Sequence, residues 1–414
     1  MKILIVNYHY FIHGGPDRYF FNIKDLLEKD GHTVIPFSFN YDETYETPFR
    51  QFFPAPITGH GSFLLENLKL SFFRKLRLIK YMFCNKEVEK KFIEILQSEQ
   101  PDIIYSIYLS SSMLPKIFHI AKKQFGIPIV YRLSDFHMFC PSYLFYRDGI
   151  TCQECLTTPF SAIKHKCVQS SVVASFLRVF QIAMIRNKRW YDNVDRFLCP
   201  SRIMQEVLLK TGFTPERLHH VPTFASDLQG PQNTASPYIL YFGKLSREKG
   251  VEVLLEAYNK LKFPKFPLKL IGPCSDSYKV YLLSLVDELH REKVTISNSL
   301  QGESLWQALR DSAFIVHPAL WLENMPNSLI EALSAGKPVV ASSIGSLTEL
   351  VVDGENGLLV EPGNALELAR ALEWMSREAV LIAMGSCARE RFLRDHTAQV
   401  HLQKLLKIFR ELLA

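Results

Sequence analysis

One pattern runs through the chain twice. Short β-branched or aromatic runs alternate with amphipathic helical stretches, first over residues 1–222 and again from Tyr238 onward. Lys2–Asn7 reads as a strand and His13–Gly15 as a turn. Arg18–Lys29 reads as a helix carrying Phe20, Phe21, Ile23, Leu26 and Leu27 on its apolar side. Gly31 stops that helix, and Thr33–Phe39 resumes as a strand. Further strands read at Ile103–Tyr108, Ile127–Leu133, Arg196–Pro200 and Leu218–Pro222. The polar stretch Ala225–Pro237 lacks periodicity and reads as a linker. The second block then alternates strands at Tyr238–Phe242, Leu268–Ile271, Val294–Ser297, Ala313–His317 and Val339–Ala341 with helices at Gly250–Leu261, Ser277–Arg291, Ser304–Asp311 and Ser328–Ser334. Gly357–Val360 and the Ala365–Met375 helix follow. Alternation of this kind predicts parallel sheets with helices on both faces. The expected fold class is α/β: two Rossmann-like domains, 1–225 and 226–385, face each other across a cleft. A helical segment, 386–414, packs back toward the first domain. Ligands of parallel sheets bind outside the carboxyl ends of the strands, so two facing edges would hold two substrates.

The 414 residues suffice for two cores, and 47% apolar against 22% charged residues excludes a disordered chain. Net charge is +6, and the excess lies in residues 1–230, with 28 Lys and Arg against 21 Asp and Glu. A basic first half and a near-neutral second half suggest different partners. No zinc-finger helix, RNA-binding signature or arginine-rich tail accompanies the charge, so nucleic acid is not expected. "MKILIVNYHY" turns polar too soon for a signal peptide, and no run is apolar enough to span a bilayer. Eight cysteines make no disulfide scaffold, so a cytoplasmic location is expected.

"YFGKLSREKG" (Tyr241–Gly250) leaves a strand through Gly243, with Lys244 and Lys249 flanking the turn. Glycine lets backbone amides approach a phosphate, and lysines supply charge; surface lysines beside a turn would look the same. "WLENMPNSLIEALSAGKPVVAS" sets Glu323 in a loop and Glu331 in the first turns of a helix. Pro326 and Asn327 keep Glu323 out of that helix. The amides of Asn327, Ser328 and Leu329 are free to meet an anion, and a nearby carboxylate could accept from ribose hydroxyls. A glutamate favoured by the helix dipole is the alternative for Glu331.

The segments "GKLSREKG", "HPALWLENMPNSLIEALSAGKPVVASSIGSLTEL" and "DGENGLLVEPGNALELARAL", in that order, resemble the donor domain of the family-four retaining glycosyltransferases, which share the GT-B fold. The resemblance implies that Lys244 and Lys249 contact a donor diphosphate and that Glu331 binds ribose. It implies that Glu323, with backbone from Asn324, Met325 and Pro326, contacts the transferred sugar, and that Asn327 and Ser328 lie by the phosphates. Gly14 and Gly15 resemble the acceptor-side glycine loop. In "RLSDFHMFCPSYLFYRDG", Asp135 and Cys140-Pro141 fit the family pattern, but Ser134 stands where histidine is expected; His137 is the nearby substitute.

The activity implied by the resemblance is retaining transfer of a sugar from a UDP- or GDP-sugar to a glycan or undecaprenyl-linked saccharide, with no catalytic metal. A soluble acceptor is the rival enzyme reading. A degenerate sugar-nucleotide binder with a scaffolding role is the non-enzyme reading. Cys140, Cys152, Cys155 and Cys167 form C-x11-C-x2-C-x11-C, whose centre has metal-knuckle spacing that suits a structural zinc, or four unpaired thiols in a loop. Ser62–Phe83 and Ser175–Asp192 mix basic residues with Leu, Phe and Tyr, as peripheral membrane segments do and as basic-rimmed packing helices also do.

Overall fold

The computed structural model describes residues 1–56, 72–109, 111–230 and 237–414. Its first half holds strands β1 (Lys2–Val6), β2 (Thr33–Phe37), β3 (Ile103–Ser106) and β4 (Ile129–Arg132). A small hairpin of β5 (Tyr146–Arg147) and β6 (Ile150–Thr151) follows, then β7 (Arg196–Cys199) and β8 (Leu218–His220). Six of these form one parallel sheet in the order β2-β1-β3-β4-β7-β8. The second half contributes β9 (Tyr238–Phe242), β10 (Leu268–Ile271), β11 (Val294–Ser297), β12 (Ser312–His317), β13 (Val339–Ser342) and β14 (Gly357–Val360). They form a second parallel sheet, β11-β10-β9-β12-β13-β14. Strand order reverses between β1 and β3 in one sheet and between β9 and β12 in the other. A parallel sheet opens a crevice at such a reversal. The two sheets, their helices and the cleft give the two facing Rossmann-like domains that the alternation predicted, the arrangement that the family resemblance implied as GT-B.

The continuous apolar runs of the strands have a direct physical reading. Ile3, Leu4, Ile5 and Val6 are all fully buried, because helices cover both faces of the sheet. Successive side chains alternate between the two cores. Ile3 and Ile5 join Tyr19, Phe20 and Ile23, while Leu4 and Val6 join Ile35, Phe92 and Ile95. Each such burial is worth about 1.5–3 kcal/mol.

Two elements differ from the sequence expectation. The helix expected over Ser277–Arg291 ends at Ser284, and a tighter turn covers Glu288–Lys293. Asn259 holds the break: its Nδ2 donates to the Leu285 carbonyl at 2.7 Å and its Oδ1 accepts from the Asp287 amide at 3.2 Å. The stretch expected as a linker lies outside the described residues over 231–236, but its beginning is packed. Leu228 is buried, its amide donates to Ser334 Oγ at 2.8 Å, and Asp227 pairs with Arg389 at 2.6 Å.

The chain returns to its first half at the end. The helix Ala398–Leu413 lays Leu405, Leu406 and Phe409 into the core that holds Ile3 and Ile5. His401 lies 2.7 Å from the Tyr19 hydroxyl and 2.7 Å from the Pro222 carbonyl oxygen. The incoming and outgoing crossings run side by side: Ala225 bridges Thr397, and its amide donates to the His396 carbonyl at 3.2 Å. No helix among the described residues is long and apolar enough to cross a membrane.

Candidate active site

Loops at the carboxyl ends of both sheets enclose a cleft of about 610 Å³. The first half lines it with His13, Gly14, Gly15, Arg18, Ser134 and Asp135. The second half contributes Gly243, Lys244, Lys249 and the run Trp321–Ser328.

At its centre is Glu323, 4% exposed. Three groups converge on its Oε1: the Lys249 ammonium in an ion pair, Trp321 Nε1 donating at 2.9 Å, and His317 Nε2 at 3.2 Å. Lys249 also sits over the Trp321 ring, 4.7 Å from its centre. Burial pushes the Glu323 carboxyl up, but Lys249 and His317 together outweigh it and hold the group at about 2. Burial keeps His317 below its ordinary value. The loop thus carries a fixed carboxylate and an ammonium placed by it, both at the mouth of β12.

Glu331 lies on the helix Asn327–Ser334, buried behind the cleft wall rather than lining it. Arg18 Nη2 stands 2.9 Å from its Oε1. Its Oε2 is buried and has no hydrogen-bond partner among the described residues. Burial raises the Glu331 carboxyl, and the neighbouring Arg18 only partly offsets that. Asn327 Nδ2 donates to the Gly15 carbonyl at 3.3 Å, so the start of this helix meets the start of the helix Gly15–Lys29. Two helix N-termini with their unfilled amides therefore face one cleft. Asp17 orders the glycine loop by accepting from the Gly14 amide at 2.9 Å and from Asn7 Nδ2 at 2.9 Å.

The glycine at the end of the loop after β9 is demanded by close contact. A Cβ at Gly250 would stand 1.8 Å from the Pro318 carbonyl oxygen, and Gly250 has φ +71°. Met325 holds φ +63°, costly for a residue with a side chain, and its amide donates to Ser346 Oγ at 2.7 Å. Lys244 is largely exposed, 3.8 Å from Glu248.

Other expected residues are placed differently. Asn324 is spent as a brace between the halves: Nδ2 donates to the Leu133 carbonyl at 2.9 Å, and Ser201 donates to Oδ1 at 2.7 Å. The Leu329 side chain is sealed in the core, and its amide donates to the Pro326 carbonyl at 3.2 Å, whereas Asn327 and Ser328 line the cleft. Ser134 lines the cleft but donates to the Ile107 carbonyl at 2.7 Å, with Arg132 Nη1 3.1 Å away. His137, the candidate substitute, turns away from the cleft: its ring bonds Asp135 and lies 3.1 Å from the Tyr131 hydroxyl. Asp135 is therefore engaged from behind by His137.

Sequence reasoning missed Arg18, His317, Trp321 and Arg132. Trp321 and His317 flank Glu323 within the same motif, so their proximity was available as a signal. Arg18 lies 313 positions before Glu331, and no local pattern links them.

Cys140, Cys152, Cys155 and Cys167 are free thiols in the stretch that carries β5 and β6. Cys155 and Cys167 share a small apolar cluster with Ala162 and Val179. Burial, reinforced by Cys140, Cys167 and Cys152, pushes the Cys155 thiol up to about 12. No group of three or more His, Cys, Asp or Glu side chains stands in metal-ligand arrangement among the described residues.

Residues 13–226 match the family model described as Glycosyltransferase Family 4, and residues 226–389 match the one described as Glycosyl transferases group 1. An uncharacterized glycosyltransferase of Methanocaldococcus jannaschii is 29% identical over 167 residues, 39% of this chain. The aligned part spans only 42% of that relative. Sucrose-phosphate synthase from Thermosynechococcus elongatus superposes with a TM-score of 0.73 at 20% identity, covering 99% of this chain and 98% of that one. Anabaena Alr3699/HepE in complex with UDP and glucose superposes at 0.66 and 18% identity, covering 99% and 100%. Together with the two sheets and the cleft between them, these matches place the chain in glycosyltransferase family 4.

Proposed function

We propose that the chain is a retaining glycosyltransferase of the hexosyl type. It moves a sugar from a UDP- or GDP-sugar to a glycan or undecaprenyl-linked saccharide. The setting is cell-surface polysaccharide biosynthesis, such as lipopolysaccharide or capsule, at the cytoplasmic face of the membrane. One observation carries the donor half of this reading: Glu331, ion-paired to Arg18 of the cleft wall, keeps a buried Oε2 with no partner among the described residues, just behind a cleft lined by Lys249 and the start of its own helix. A buried acceptor without a donor calls for a ligand hydroxyl. A pentose supplies one, and its diphosphate then reaches the amides and the two lysines. The Anabaena structure, which holds UDP and glucose, has the same fold.

The chemistry follows from charge. As the sugar leaves, negative charge grows on the diphosphate, and preplaced amides and ammonium groups stabilise it. Lys249 is positioned by Glu323 for this. Glu323 Oε1 is occupied by protein donors, which leaves its second oxygen to a hydroxyl of the sugar. The acceptor hydroxyl enters on the face the diphosphate leaves, and the leaving phosphate takes its proton. Glu323 and Glu331 are both held by cations and bind rather than attack; glycosidases instead flank the scissile bond with two carboxyl groups.

The test is direct. UDP-, GDP- and ADP-sugars are titrated against the parent and Glu331→Ala. The parent is expected to bind one of the uridine or guanosine donors, and the variant to bind it about tenfold or more weakly, the cost of a lost charged hydrogen bond. Equal affinities would remove Glu331 from the donor site. Ser134 favours one rival, a binder without transferase activity; donor binding with no transfer under any acceptor would support it.

The membrane-facing part rests on the helix Val172–Asn187, where Val173, Phe176 and Phe180 are each roughly half or more exposed. Phe180 packs on Phe83 at the end of the basic helix Phe72–Phe83; the rest of the expected Ser62–Phe83 segment lies outside the described residues. Flotation with anionic liposomes is expected to carry the protein up at low salt and to release it at high salt. Absence of flotation with anionic vesicles sinks the membrane placement.

A further inference from the structure

Behind the loop that follows β4 lies a second cavity, about 280 Å³, that donor binding leaves unused. One face of the helix Val172–Asn187 lines it, with Arg178, Ile182, Ile185 and Arg186 recurring at helical spacing. Phe139 and Phe213 close the opposite wall, their rings edge to face at 6.3 Å. The cavity thus joins apolar walls to three guanidinium groups, Arg178, Arg186 and Arg189, and to one carboxylate, Asp192, which Arg189 occupies.

Arg178 and Arg186 lack the usual counter-charge. Arg178 donates to Gln181 Oε1 and, at 3.4 Å, to the His137 carbonyl oxygen. Gln181 is fully buried and fixed by the Ser111 carbonyl at 2.6 Å. Arg186 lies over the Phe139 ring, 5.8 Å from its centre. Neither has a carboxylate within 4.0 Å among the described residues, while the neighbouring Arg189 pairs with Asp192 at 2.6 Å. Burial lowers both Arg178 and Arg186 from the ordinary guanidinium value. Arg178 is half-buried with no carboxylate partner among the described residues and Arg186 opens to solvent, and guanidinium groups take phosphate through paired hydrogen bonds. The apolar walls around them suit a hydrocarbon chain rather than a sugar.

Location selects between a free anion and an amphiphile. The same helix turns Phe176 and Phe180 outward, stacked at 6.2 Å and 51% and 54% exposed. On the inner side, His137 lines this cavity, and its ring bonds Asp135, which lines the cleft. The cavity thus lies between an exposed apolar face and the reaction cleft. We propose that it binds the phosphate and the first carbons of a lipid-phosphate acceptor, with Arg178 and Arg186 on the phosphate. The saccharide end then enters the cleft past the Asp135–His137 pair. This rests on the lipid-linked acceptor reading above and assigns that acceptor a place.

The probe is farnesyl phosphate, kept below its micelle concentration and titrated into the full chain. Farnesol and inorganic phosphate serve as the separate chain and anion arms. Farnesyl phosphate is expected to bind, and each half-probe to bind about tenfold or more weakly. Arg178→Gln and Arg186→Gln are each expected to weaken farnesyl phosphate by about tenfold or more. Arg186 is exposed, so that variant keeps the fold, and unchanged nucleotide binding in the cleft confirms it for both. Equal affinity of both variants, displacement by UDP, or inorganic phosphate binding as tightly as the lipid would each overturn the assignment. A parent that binds no nucleotide defeats the donor reading and leaves this result standing. Sugar transfer to a lipid-linked acceptor that both variants perform unimpaired defeats the cavity alone.

Discussion

Lys249→Ala is expected to lower sugar transfer by about 10²–10³-fold, the usual loss when one preplaced donor to a developing anion is removed. Its effect on stability should be as clear. Glu323 is buried, and the charge of the Lys249 ammonium is the largest single influence offsetting that burial, with His317 beside it. Removing one partner of such a pair leaves a buried charge and costs about 3–5 kcal/mol. The pH dependence identifies the cause. In the parent the Glu323 carboxyl is held at about 2 against an ordinary 4.5, so its contribution is fully present above pH 4.5 and fades as pH falls toward 2. In the variant only His317 still opposes burial, so the carboxyl rises from its parent value and protonation at falling pH relieves part of the penalty. The stability gap between parent and variant should therefore be widest at pH 7 and narrower at pH 5, as read by chemical denaturation. A gap independent of pH would mean that Lys249 acts elsewhere.

Gly250→Ala is expected to be among the most damaging single substitutions in the second half. The added carbon would stand 1.8 Å from the Pro318 carbonyl oxygen, which is backbone and cannot rotate away. The positive φ of +71° adds strain for any L side chain. Together they place the loss at about 4 kcal/mol or more, in the range reserved for backbone collisions. Thermal unfolding of the purified variant checks this, with Gly354→Ala as the control. Gly354 shares a positive φ of +77° but meets nothing within 4 Å, so it isolates the strain from the clash. Equal effects of the two would show that the contact with Pro318 relaxes.

Much of the architecture is legible in the sequence. Strand periodicity located both sheets because buried parallel strands must be apolar along their whole length, as Ile3 to Val6 are. The glycine at position 250 and the pair Glu323 and Glu331 were visible because backbone proximity and helix starts leave local marks. What stayed hidden depends on the meeting of distant segments. Arg18 gave no sign of its pairing with Glu331, since the contact exists only once two separate sheets face each other. The side-chain brace from Asn324 to Leu133 and Ser201 was hidden for the same reason, while the residue still lines the cleft. His137 faces away from the cleft, as the end of a loop was expected to point it, because a side chain two residues from Asp135 can turn to the far side of that loop.

The paired crossings at Ala225 and Thr397 limit how the molecule can breathe. Two adjoining strands of backbone, tied to each other and finished by a helix seated on the opposite half, behave like a door hung on neighbouring pins. Swinging about that line is cheap, whereas sliding or twisting apart would tear Leu405 and Phe409 from their seat. Capture and release of substrates should then follow one rotational coordinate. Shortening the chain before Ala398 would loosen that single degree of freedom as much as it weakens the fold.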